Sequence, residues 1–169
     1  KTMDNNQNKQ ENLHKLIDMI KDVDIAMMTT VDDDGSLRSR PMRTQKVNED
    51  GVLWFFTGYE SAKSHEIKDN DAHVNLSYSK PEDELYVSVS GRASLTKDKQ
   101  KIDELWNPAL KAWFPNGKDD PNVGLIKVTI EKAEYWDAPN SVLVHLYGMA
   151  KAAITGDKPR PGDNEKINM

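Results

Sequence analysis

Residues 25–57 read IAMMTTVDDDGSLRSRPMRTQKVNEDGVLWFFT, and this stretch decides the fold. Three short β-rich runs, 25–31, 37–47 and 52–57, are separated by Asp32-Asp33-Asp34-Gly35 and Asn48-Glu49-Asp50-Gly51. Both separators have turn chemistry, so the runs read as antiparallel strands joined by tight hairpins. The run 52–57 is apolar on both faces, as in a strand that is central or covered.

Upstream, Leu13, Leu16, Ile17, Ile20 and Val23 share one helical stripe, which predicts an amphipathic helix over 11–23. Residues 1–10 are almost wholly polar and are expected to form a flexible leader. Downstream, Gly58 ends the third strand and Ser61 is expected to cap a helix running to residue 69. Ala72, Val74, Leu76 and Tyr78 alternate with polar neighbours as in a half-exposed strand. A further strand spans 85–95, with Gly91 marking a bulge or a close approach. Thr96 is expected to cap a helix to Trp106, and Pro108 to start another piece. Residues 116–122 are rich in turn formers, and 123–130, 133–136 and 142–147 read as late strands. From Thr155 the chain is polar and its tail is expected to fray.

The sum is about seven short antiparallel strands with peripheral helices, the pattern of a small barrel in the α+β class. No repeat or linker divides it. The expected layout is a leader at 1–10, one domain over 11–150 and a polar tail at 151–169.

Composition narrows the function. The chain has 169 residues, a net charge of −5 and no cysteine. That excludes disulfides, thiolate metal sites and a cysteine nucleophile. No apolar run approaches the ~20 residues of a membrane span. A pI of 5.4 argues against a general nucleic-acid binder. A cytoplasmic location is the simplest expectation. The four histidines lack metal-ligand spacing, so no metal is expected. Gly-x-Ser-x-Gly, Gly-x-Gly-x-x-Gly and Walker motifs are all missing.

Charge breaks pattern at one place. Residues 36–46 hold Arg38, Arg40, Arg43 and Lys46 and no acid, within an acidic chain. Strand periodicity puts Arg38 and Arg40 on one face and Arg43 on the other. Two guanidinium groups at i and i+2 are able to hold a phosphate. A solvated arginine face is the plainer alternative. The segment Phe56-Thr57-Gly58-Tyr59-Glu60-Ser61-Ala62-Lys63 is a strand end, a glycine turn and a helix start. A lysine in a first helical turn opposes the macrodipole unless an anion sits there. Trp54, Phe55, Phe56, Trp113 and Phe114 would suit a planar heteroaromatic ring, although aromatics in a small barrel also serve as core.

Arg40-Pro41-Met42-Arg43-Thr44-Gln45, then Phe56-Thr57 and Ser61-Ala62-Lys63, resembles the FMN-binding split-barrel family related to pyridoxamine 5′-phosphate oxidase. A Trp-Phe-Pro-x-Gly-x-Asp-Asp-Pro stretch at 113–121 is similar to its bacterial general-stress branch. The resemblance covers about residues 11–150. It implies a six-stranded antiparallel split β-barrel of Greek-key type, and a homodimer with FMN at the subunit interface. It places Arg40 and Lys63 on the phosphate with Ser61, Ala62 and Arg38 nearby. Pro41, Met42, Arg43, Thr44, Gln45, Phe56 and Thr57 would line the flavin ring. Tyr86 falls where the oxidases carry a flavin-contacting Gln, and Trp136 where they carry a late Trp. Trp113 is expected near the ring, as a residue of either subunit.

The departures are informative. Residues 137–143 lack the Arg-x-His pair with which the oxidases hold pyridoxal substrate, and Gln45 replaces a Lys. Pyridoxamine oxidase activity is therefore not expected. The leading expectation is an FMN-dependent, general-stress-type oxidoreductase, with a nicotinamide as a candidate reductant and no side chain acting as catalytic acid or base. The alternatives are a non-catalytic flavin carrier or redox sensor, or the same barrel holding haem or a deazaflavin.

Overall fold

Alternation along the first strand sets the inside of the sheet. In β1 (Ile25–Val31), Ala26, Met28 and Thr30 are buried, while Ile25, Met27 and Val31 face outward. The computed structural model describes residues 2–65, 67, 71–137 and 163–168. The expected strand at 142–147 lies outside them. The other elements are α1 (Thr2–Ile20), β2 (Leu37–Arg43), β3 (Val52–Gly58), α2 (Tyr59–His65), β4 (Ala72–Lys80), β5 (Leu85–Thr96), α3 (Lys99–Leu105), β6 (Val123–Asp137) and β7 (Asp163–Asn168).

These strands form one antiparallel sheet in the order β2-β1-β4-β5-β6-β3, with β7 added on β6. It is an α+β split barrel, and the sheet is not closed. Its two ends, β2 and β3, meet at the Thr44–Phe55 bridge and through Gln45 N–H donating to the Trp54 carbonyl at 2.9 Å. Beyond that seam β2 stays with β1, and β3 follows β6.

The long β6 explains how seven strands share so small a sheet. One edge pairs with β5; the other pairs with β3 up to Thr129 and with β7 from Lys132. The register between β5 and β6 shifts at Ser90/Gly91, which is the expected bulge. A Cβ on Gly91 would lie 2.3 Å from the Thr129 carbonyl oxygen, so only glycine lets the two backbones approach.

The core follows from the stripes. Leu13, Leu16, Ile17 and Ile20 of α1 pack with Met28, Phe55, Leu76, Val89, Ile126 and Val128. Each such side chain contributes about 1.5–3 kcal/mol by leaving water. A second cluster on the other side of β3 joins Trp54, Leu125, Ile102 and Leu105, with Phe56, Trp106 and Phe114 against it. The apolar run 52–57 is thus covered on both faces although β3 ends the sheet.

Four local expectations are corrected. The first helix starts at Thr2 instead of residue 11. Residues 163–168 form β7 instead of fraying, because the free edge of β6 accepts them and Ile167 enters the core at 2% exposure. Residues 123–137 are one strand, not two. Asp98, not Thr96, caps α3 by accepting from Lys101 N–H.

Candidate functional site

The seam between β2 and β3 opens into a cavity of about 660 Å³. Its size is within the range of small-molecule sites. Pro41, Met42, Arg43 and Gln45 form one lip; Phe56, Thr57 and Gly58 form the other. Leu110, Trp113, Phe114 and Pro115 close it from the segment after α3, and Asp120 and Asn122 complete the lining. The two lips, from neighbouring stretches of chain, and a third stretch some fifty residues further on therefore meet because the barrel splits there.

Several polar groups at the lip have fixed partners. Arg43 Nη1 donates to Asp24 Oδ2 at 2.7 Å, which neutralises its charge locally. Gln45 is 9% exposed and its Nε2 donates to the Arg43 carbonyl at 3.2 Å. Thr44 lies just behind the lip, its Oγ1 2.8 Å from the Tyr78 hydroxyl. Burial pushes the Tyr78 phenol up to about 12, so it is neutral at ordinary pH. Asp120 Oδ1 accepts from Asn122 N–H at 2.8 Å and Oδ2 from Asn116 Nδ2 at 3.0 Å. These bonds hold its carboxyl below the usual carboxylate range.

Aromatic rings back the lip from β3. Phe56 stands edge-on to Trp106 with centroids 5.8 Å apart, and Phe114 lies 6.3 Å from Phe56. Trp113 is different, at 67% exposure on the rim. The cavity therefore offers apolar walls with amide, hydroxyl and guanidinium groups set among them.

The expected site residues divide. Pro41, Met42, Arg43, Gln45, Phe56, Thr57 and Trp113 line the one cavity. Arg38 and Arg40 are on the opposite face of β2 from Arg43, as strand periodicity predicts. Arg40 Nη2 donates to Thr30 Oγ1 at 3.2 Å, and Arg38 lines a small recess with Asp32, Asp33 and Asp34. Burial and the neighbouring Arg38 charge lower the Arg40 pKa. Ala62 is fully buried, and the Lys63 side chain lies outside the described residues. Tyr86 and Trp136 face each other in the β5–β6 register, each 44% exposed, away from the cavity lining.

Ser61 is not the cap of α2, which begins two residues earlier at Tyr59. Asn122 does that work from across the fold. Its carbonyl accepts from Tyr59 N–H at 2.7 Å and its Oδ1 from Glu60 N–H at 3.1 Å. Asp120 and Asn122 were absent from the sequence-based site. Their local signal was the Asx turn within 120–122, which by itself reads only as a loop.

Among the described residues, no group of three or more His, Cys, Asp or Glu side chains converges as a metal site. No described helix is long and apolar enough to cross a membrane. A larger recess, about 910 Å³, lies between α1 and the ends of β5 and β6, and holds none of the expected site residues.

The sequence and the fold match a known family. The family model for pyridoxamine 5′-phosphate oxidase like proteins matches residues 11–160, and the chain belongs to that family. It is 35% identical to protein bli-3 of Neurospora crassa over 78% of this chain and 67% of that protein. It is 29% identical to general stress protein 26 of Bacillus subtilis over 82% of this chain and 98% of that protein. The crystal structure of the general stress FMN/FAD binding protein from Xanthomonas citri superposes with a TM-score of 0.65. That pair is 30% identical, over 79% of this chain and 93% of the other.

Proposed function

We propose that this chain is a general-stress-type flavoprotein that binds FMN in the seam cavity and acts as an oxidoreductase. The observation that carries the reading is the convergence of Pro41–Gln45, Phe56–Thr57 and Trp113–Phe114 on one cavity. The fit is chemical as well as spatial. Met42, Phe56 and Phe114 offer apolar contact to a planar ring. Thr57 and Gln45 offer hydroxyl and amide groups to the ring's polar edge and the chain attached to it. When bound, the flavin supplies the electron-transfer chemistry, and the protein supplies position and electrostatics.

Within that reading, the β2–β3 seam holds the ring between its two lips. Lys63, from α2 just beyond Gly58, supplies positive charge for the phosphate; Arg40, outside the cavity lining and bonded to Thr30, would join it only by turning its guanidinium away from Thr30. The strap at 110–115 excludes water from one side. Arg43, already paired with Asp24, acts as a neutral wall more than as an anion grip.

The site is also proposed to be completed by a second copy of the chain. Ile25, Met27, Val31 and Leu37 are 41–73% exposed on the outer face of β1 and β2, next to the cavity. These apolar residues flank the Thr29–Ser39 hydrogen bond on the same face, and such a face suits an isologous contact. A flavin carrier without turnover is the second reading. It is favoured by the tied-up state of Arg43 and Asp120, which leaves neither poised as an acid or base.

Denaturing the purified protein and identifying the released chromophore tests the flavin. Absence of FMN, together with failure to bind added FMN, removes both readings. Bleaching of the bound flavin by NADH or NADPH, faster than that of free FMN, separates enzyme from carrier. Light scattering at micromolar concentration reads the dimer.

A further inference from the structure

Asn122 has two chemically different ends, and the fold has used only one. Its Oδ1 accepts from Glu60 N–H at 3.1 Å, while its backbone carbonyl accepts from Tyr59 N–H. A backbone N–H accepts nothing, so this bond forbids an amide flip. Nδ2 must therefore be the other end. Nδ2 has no hydrogen-bond partner among the described residues, and Asn122 and Gly58 both line the cavity. A Cβ on Gly58 would lie 3.4 Å from Nδ2, so the absence of a side chain there keeps the amide donor open. The orientation is reinforced behind Asn122 by Asp120, which accepts Asn122 N–H and is itself held by Asn116.

We infer that Asn122 is a specificity residue of this site, donating Nδ2–H to an oxygen acceptor on the bound flavin nucleotide. The inference rests on the proposed flavin site and deepens it. It adds a contact from the 116–122 loop, whose residues by themselves spell only a turn. It also ties the loop to α2, so that the amide which caps the helix is the one that meets the ligand.

The test separates capping from contact. Asn122→Asp keeps an oxygen acceptor for Glu60 N–H but replaces the donor by an anion. Residue 122 does not have a positive φ, so aspartate is tolerated. The expected result is a melting temperature close to the unsubstituted protein with an FMN Kd raised about tenfold or more. Asn122→Ala removes both roles and is expected to lower the melting temperature as well as the affinity. Titration with riboflavin locates the acceptor: equal losses place it on the ring or ribityl chain, and a larger loss for FMN places it on the phosphate. If either variant binds FMN within twofold of the unsubstituted protein, the inference is overturned while the flavin reading stands. If the unsubstituted protein binds neither FMN nor riboflavin, both are overturned.

Discussion

Thr44 and Tyr78 share a 2.8 Å hydrogen bond where the end of β2 turns across the barrel toward β3. Tyr78 is 1% exposed, so its hydroxyl has no water to fall back on. Thr44→Val leaves that hydroxyl unsatisfied and is expected to cost about 1–3 kcal/mol in urea unfolding. Tyr78→Phe removes the buried hydroxyl itself and is expected to cost less, about 0.5–1.5 kcal/mol. Because Thr44 lies between Arg43 and Gln45, both variants should also weaken ligand binding at the seam.

The same tyrosine gives an alkaline dependence of stability. Its folded pKa is raised to about 12 from 10, chiefly by burial. The folded state therefore holds the proton more tightly than the unfolded state. The stabilisation is fully present below pH 10 and is lost as pH rises toward 12, by about 2–3 kcal/mol in all. Urea midpoints measured from pH 9 to 12 should fall more steeply for the unsubstituted protein than for Tyr78→Phe. Parallel slopes would show that Tyr78 is not the group responsible.

At Gly91 the issue is contact, not conformation. A methyl group there would meet the Thr129 carbonyl at 2.3 Å, with rigid backbone on both sides. Gly91→Ala is expected to destabilise by about 1–3 kcal/mol or more, since β5 and β6 must separate at the bulge. Gly35→Ala, with no atom within 4 Å of its Cβ position but a φ of +81°, is a comparison in which only backbone strain acts. Urea unfolding of the two variants distinguishes overpacking from strain.

What the sequence made legible were features written in short-range patterns. Period-two alternation separated Arg38 and Arg40 from Arg43, and the α1 stripe named Leu13, Leu16, Ile17 and Ile20 as core. Gly91 could be marked because a glycine inside a strand weakens it, and is kept where the strand bulges or a second backbone comes close. Long-range choices were not legible. Residues 163–168 read DNEKIN, with one apolar side chain, and become a strand only because β6 extends past the end of β3. Capping of α2 comes from Asn122, some sixty residues away, so a search for the cap near Ser61 had nothing to find. The arginine cluster overstated positive charge at the site, since Asp24 and the turn 32–34 answer it from neighbouring positions.

Charge at the phosphate end is the next test. Lys63→Ala and Arg40→Ala are each expected to weaken FMN binding by about 1.5–3 kcal/mol, the worth of a charge-assisted contact, and to weaken riboflavin binding little. The two residues differ in their surroundings. Arg40 also holds the hydroxyl of Thr30, which is 2% exposed, so its removal should lower the melting temperature. Isothermal titration with both ligands, beside thermal unfolding, reads the two effects apart. Equal losses for FMN and riboflavin would mean that the side chain does not meet the phosphate.

Trp113 makes the sharpest contrast between stability and binding. It belongs to the cavity lining yet is 67% exposed, so its ring contributes little to the core. Trp113→Ala is therefore expected to change unfolding free energy by no more than about 0.5 kcal/mol. A ring standing at the rim of the proposed flavin site should nonetheless stack on the ligand and quench its emission. Bound-flavin fluorescence is expected to rise in the variant, with a modest loss of affinity. Phe114→Ala is the control from the same strap. Its ring packs against Phe56 and Trp106, so that substitution should lower the melting temperature first. If Trp113→Ala instead unfolds early while flavin emission stays unchanged, the side chain belongs to a packed interface and not to the cofactor.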